Sequence, residues 1–147
     1  MMMVRFTVLF NATFAGEGMH TTTVFGKRYN VFTLWEFARQ LPVETVSVSL
    51  FDKYREETDC WGNLGPKNLL GLVSLYGVHY NTMVLAQPSW ASHIRRVQYC
   101  SNEYPLLVLG EDDVLDGMHR LTRAWIDGIQ EIKIQRFLRM PKSAIVR

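Results

Sequence analysis

The stretch from Val108 to Trp125 constrains this chain more than any other. Leu106 to Leu109 is an apolar run that reads as a buried strand, and Gly110-Glu111-Asp112-Asp113 reads as a tight turn. Val114-Leu115 opens a short return strand that stops at Asp116-Gly117. Leu121, Ala124, Trp125 and Gly128 then recur at helical spacing, which predicts a helix opening near Met118 and closing at Gly128. A glycine, a histidine and an arginine therefore arrive in the first turn of a helix straight off a hairpin. Unsatisfied backbone N–H groups and the positive end of the helix dipole make such a turn a natural anion site. Gly117 lets a phosphate approach the backbone, Arg120 can grip two of its oxygens in a fork, and His119 adds a donor whose charge is tunable near neutral pH. The same residues also suit a plain helix start, with Asp116 as N-cap, Gly117 as the bend and His119 and Arg120 solvated. Four functional residue types within five positions favour the anion site.

Length and composition bound what surrounds that turn. The 147 residues suit one domain with an ordinary core, and 48% hydrophobic with 20% charged residues is the balance of a folded protein. Sixteen basic against fourteen acidic side chains leave a net charge of +2, which permits contact with nucleic acid without demanding it. Cys60 and Cys100 are too few and too far apart for a disulfide scaffold or a zinc site. No apolar run approaches the roughly twenty residues that span a bilayer, and no signal-peptide core follows Arg5. The expectation is a cytoplasmic protein with reduced thiols and no membrane partner.

In chain order, Val4 to Phe10 alternates as a strand and Thr21 to Phe25 reads as its partner, ended by Gly26-Lys27-Arg28. Residues 1–29 thus read as a β-hairpin added before the core, serving as a sheet extension or a dimer edge; a homodimer is among the expected partners. Thr33 is placed to cap a helix from Leu34 to Leu41, with Glu36 at capping-box spacing and Pro42 ending it. Val43 to Leu50 alternates as a strand and leads into a polar segment, Phe51 to Asn63. Residues 64–90 are broken by Gly65-Pro66, Gly71, Gly77 and Gln87-Pro88 and read as a segment either ordered by its own apolar residues or acting as a lid. His79 and Tyr80 within it read as packing. Ser89 or Ser92 caps a helix through Ile94, Val97 and Tyr99, on which His93 and Arg96 share a face and Arg95 lies on the surface. Glu131 to Phe137 alternates as a last strand, and residues 139–147 form a basic tail without clear order.

The motif Val114-Leu115-Asp116-Gly117-Met118-His119-Arg120-Leu121, followed by Ala124 and Gly128, resembles the Gly-x-His-Arg box of the ParB/sulfiredoxin superfamily and is close to the form found in many of its single-domain ParB-like members. The resemblance covers about residues 30 to 138 and is weak over 64–90, which is longer than the family's usual connection and would be an insertion over the site. It implies an α/β (α+β) fold, a small mixed sheet flanked by helices, in which the box cradles the phosphates of a nucleotide. Gly117, Met118, His119 and Arg120 would form that cradle. His93-Ile94-Arg95-Arg96 resembles the His-x-x-Arg of relatives, so His93 and Arg96 would reach the same phosphates. The Asp59-Cys60-Trp61 cluster looks like the acidic-aromatic pair near the nucleotide in such proteins. Asp59 could hold a magnesium ion or accept a proton, and Trp61 could stack on a base. Two departures narrow the activity. Met118 stands where sulfiredoxins carry cysteine, and a thioether cannot form the thiol-linked intermediates of sulfinic-acid repair. There is no Glu-Asn pair for the downstream box of partition ParB proteins, so a CTP-driven DNA clamp is not expected.

The expected function is therefore an enzyme: a magnesium-dependent phosphotransferase or nucleotide hydrolase using ATP, ADP, CTP or another nucleoside di- or triphosphate, with a small-molecule acceptor. Asp59, Asp116 and His119 are its candidate catalytic residues, and Asp59 its candidate metal ligand. The competing expectation is a DNA-binding or nuclease-like protein whose arginines contact backbone phosphate while Trp61 or Trp90 stacks on a base. An interaction module that keeps the fold without catalysis is a third.

Overall fold

The fold is built on a four-stranded sheet whose two central strands run parallel, with the hairpin at one edge. In this computed structural model, which describes residues 20–147, that sheet comprises β3 (Val43–Ser47), β4 (Leu106–Leu109), β5 (Asp113–Asp116) and β6 (Glu131–Phe137) in the order β3-β6-β4-β5. β6 runs antiparallel to β3 and parallel to β4, and β4 and β5 form the antiparallel hairpin. The β4–β5 turn is held from both sides. Lys53 Nζ donates to Asp112 and Asp113 at 3.1 and 2.6 Å, and Arg136 donates to the Gly110 and Glu111 carbonyls. The fold class is mixed α/β, as the sequence implied.

Among the described residues the α-helices are α1 (Val31–Ala38), α2 (Pro66–Tyr76), α3 (Tyr80–Ala86), α4 (Ala91–Tyr99) and α5 (Met118–Ile126); α1 and α5 pack on the sheet, and α2 and α4 pack on α5. On β6, Ile132 and Ile134 are buried on one face, while Gln135 and Phe137 turn to the other, where α1 packs. Gln135 Nε2 ties the end of α1 to the sheet by donating to the Ala38 and Leu41 carbonyls at 2.7 and 3.1 Å. α5 packs against β4, α2 and α4, so the helix that carries the box is covered on several sides. Met118, Leu121 and Ala124 are its buried stripe, beside Ile94, Leu69 and Leu106.

Several local expectations change for identifiable reasons. The strand expected over Val4 to Phe10 lies outside the described residues. Gly26-Lys27-Arg28 does not end the hairpin: β1 (Thr21–Val24) turns at Gly26 and pairs antiparallel with β2 (Lys27–Asn30). α1 starts at Val31, not Leu34, because Asn30 is the better cap; its side chain accepts the Thr33 N–H at 3.2 Å, leaving Thr33 inside the first turn. β3 stops at Ser47, not Leu50, because its partner begins at Glu131, opposite Ser47. The chain then coils into a 3₁₀ segment, Val48–Glu56, that buries Phe51 and Tyr54 where a polar loop was expected.

Residues 64–90 form α2 and α3. Pro66 occupies the first helical position, and the Gly65 N–H donates to Asn68 Oδ1 at 2.9 Å. Leu69, Leu72 and Met83 are buried in the main core, so this segment is ordered by its own apolar residues. Neither Ser89 nor Ser92 caps α4, which starts at Ala91 after a 3₁₀ turn. The tail is also docked. Ala144 is buried, Ile145 bridges to Tyr29, and the Val146 N–H donates to the Arg28 carbonyl at 2.8 Å. No single helix among the described residues is long and apolar enough to cross a membrane.

Candidate functional site: the first turn of α5

The hairpin and α5 meet at Gly117, which takes φ +113° as the N-cap of the helix. Only glycine adopts that backbone freely. A Cβ there would also run into Leu106 and lie 2.8 Å from Arg120 Nη2. Gly117 has no side chain with which to cap the helix, so no N-cap oxygen satisfies the first N–H groups. This turn forms one wall of a cavity of about 620 Å³, lined also by His20, Trp61, Arg96, His119 and Arg120.

Asp116, the last residue of β5, is buried and fully engaged. Its Oδ2 accepts the Trp35 indole N–H at 2.9 Å and lies 3.5 Å from Arg120 Nη2, while Oδ1 lies 3.9 Å from His20 Nε2. Arg120 Nη2 also donates to the Pro105 carbonyl at 3.2 Å, and its Nε is buried without an acceptor among the described residues. The guanidinium is thus fixed at the cavity wall by groups that leave part of its donor fork unused.

On the opposite side, His93 and His119 share a hydrogen bond, Nδ1 to Nε2, at 2.9 Å. Their ring centroids are 5.2 Å apart with 8° between planes, an edge-to-edge arrangement. The buried Trp61 ring lies flat against both, 4.5 Å from His119 and 5.1 Å from His93. Burial, and then the nearby His93, Arg96, Arg120 and His20, hold His119 far below the usual histidine range, at about 3. Burial and then Arg96 lower His93 as well. The pair is neutral at physiological pH. Burial raises the thiol of Cys100, which also lines the cavity, so it is no activated nucleophile.

The structure brings together Gly117, Met118, His119, Arg120, Arg96 and Trp61 on one cavity, with His93 immediately behind His119. Met118 contributes backbone and floor, since its side chain is buried. Trp61 departs from the expected base-stacking role, because the histidine rings occupy its face. Asp59 is exposed, 3.5 Å from the Thr58 hydroxyl, and does not line the cavity. Asp116 positions Arg120 more than it awaits a proton. Arg95, which also touches the cavity, is bonded to Asn81 and Gln98 at 2.8 and 2.6 Å. The donor set does not fit a magnesium ion held by protein alone. Its carboxylate is taken by an indole and a guanidinium, the surroundings are cationic, and no group of three His, Cys, Asp or Glu suited to a metal occurs among the described residues.

His20 and Trp35 are the functional neighbours that the sequence did not reveal. Nothing in their spacing connects either to the box; both reach it through the tertiary fold. Comparison of the chain with family models, curated proteins and solved structures finds no match.

Proposed function

We propose that this protein binds a nucleotide by its phosphates at the first turn of α5 and acts as a phosphotransferase or nucleotide hydrolase. The observation that carries the reading is the uncapped turn opening onto a cavity between Arg96 and Arg120. Backbone N–H groups, the helix dipole and two guanidinium groups are the equipment that phosphate charge requires. Phosphoryl transfer asks chiefly for positioning and charge neutralisation, both of which the site supplies. Asp116 and His119 both line the cavity and Asp59 does not; in the unliganded protein His119, held near 3 by burial, is a weak base and serves as a neutral hydrogen-bonding group beside the phosphate. Magnesium enters this reading only as an ion carried on the nucleotide's own phosphate oxygens.

The test is thermal shift with ATP, ADP, CTP and GTP, each with and without magnesium, since a ligand bound to the folded state raises Tm by mass action. A rise that Arg96→Ala reduces, without lowering the ligand-free Tm, supports the reading. No rise with any nucleotide, or a rise indifferent to Arg96, removes it. Short DNA serves as the contrasting probe: with Trp61 covered, only salt-sensitive backbone binding is expected.

A further inference from the structure

His93 and His119 form a unit with no evident structural necessity. Two imidazoles joined at 2.9 Å and laid against one indole could be replaced by apolar rings at little packing cost, yet they stand behind an anion-suited cavity. A neutral pair of this kind contains one ring that donates the shared N–H, and that ring keeps a bare nitrogen outside the bond. An added proton lands there. The shared hydrogen bond survives and becomes charge-assisted.

We propose that His93 and His119 act as one proton acceptor that charges when a dianion enters the cavity, so that the site selects a terminal phosphate group over a phosphodiester. This rests on the phosphate reading above. The groups facing the pair are His20 ahead of β1, Arg96 on α4, Cys100 after α4, Asp116 at the end of β5 and Arg120 on α5. In the unliganded protein the two arginines oppose a further positive charge. Asp116 does not relieve this, because Arg120 and His20 already surround it. A dianion reverses the balance. With the Asp116 carboxylate set against Arg120, Arg96 and the helix terminus leave part of a dianion's two charges unanswered, and an imidazolium at His93–His119 supplies the remainder. A phosphodiester carries a single charge, which the arginines answer alone. The proton comes from solvent and forms one new N–H bond on the donor ring, with no bond broken in the anion. Linkage then fixes the sign: a ligand whose binding takes up a proton binds more tightly as pH falls.

Sulfate and methyl sulfate separate these cases, since one is a dianion, the other a monoanion, and neither titrates near neutrality. Calorimetry on the full chain, in two buffers of different ionisation enthalpy between about pH 6 and 8, reads proton uptake directly. Sulfate is expected to take up as much as one proton and to bind up to roughly tenfold more tightly per unit fall in pH. Methyl sulfate is expected to bind without uptake and without pH dependence. ¹⁵N spectra of the histidine side chains should show a neutral pair becoming an imidazolium when sulfate is added. His93→Asn should bind sulfate more weakly and lose the uptake. Sulfate binding with no uptake, or uptake undiminished in His93→Asn, overturns the proposal alone. Absence of binding by both sulfate and ADP overturns the phosphate reading with it.

Discussion

Trp35 and Asp116 stand 81 positions apart in the chain, and the indole N–H of the first donates to Oδ2 of the second at 2.9 Å. This bond joins α1 to the box, and through Asp116 it holds Arg120. Trp35→Phe keeps the ring contacts with His20 and Phe32 but leaves a buried carboxylate short of a donor. The expected cost is about 1–3 kcal/mol, measured by urea unfolding. Affinity for ADP should fall in step as Arg120 loses its fixed position. A loss below about 0.5 kcal/mol would show that water replaces the indole without penalty.

Gly117 and Gly26 both take positive φ, +113° and +75°, but their surroundings differ. Around Gly26 there is open space, so Gly26→Ala should cost only backbone strain, on the order of 1 kcal/mol. Gly117→Ala adds a collision with Leu106 and with Arg120 Nη2. It should cost at least about 2 kcal/mol and abolish nucleotide binding. Equal costs at the two positions would mean that the close approach at the box is relieved by small shifts.

What was legible in the sequence was local. The β4-turn-β5-Gly117-α5 order follows from an apolar run, a turn cluster and a change of period, all carried within about twenty residues. The span of β6 was equally plain, because Ile132 and Ile134 alternate with charged neighbours. Elements whose bounds depend on partners were not plain: β3 ends where β6 begins, and no residue between Ser47 and Leu50 announces it. The candidate site divides in the same way. Gly117, His119 and Arg120 are read from one motif, and His93 and Arg96 from one helix face. His20 and Trp35 join them only through long-range contacts, and the exposure of Asp59 follows from how residues 57–65 turn around a buried Cys60 and Trp61.

Stability should depend on pH through His119. Its folded value lies near 3 and its ordinary value is 6.5, so the unfolded chain binds the proton more readily. Stability is therefore full above about pH 6.5 and falls as pH drops towards 3. The slope contributed by one histidine is at most about 1.4 kcal/mol per pH unit. Urea unfolding at pH 7, 6 and 5 should reveal the decline before most carboxylates titrate. His119→Gln should flatten it, although that variant starts less stable for want of an imidazole on Trp61. An unchanged slope in His119→Gln would assign the pH dependence to other groups.

The segment from Gly65 to Ala86 offers the last test, because a lid and a core element predict different opening behaviour. α2 and α3 sit 108° apart and bury Leu69, Leu72 and Met83 in the same cluster as Leu106 and Leu121 of the box region. A lid must open at small cost, whereas these side chains cannot leave without exposing the core. Backbone amides of α2 should therefore resist hydrogen exchange as strongly as those of α5, and lose protection together with them on global unfolding. Leu69→Ala should cost about 2–5 kcal/mol, as expected for a fully buried leucine. Rapid exchange confined to α2 and α3, with α5 still protected, would instead make the two helices a separately opening unit above the cavity.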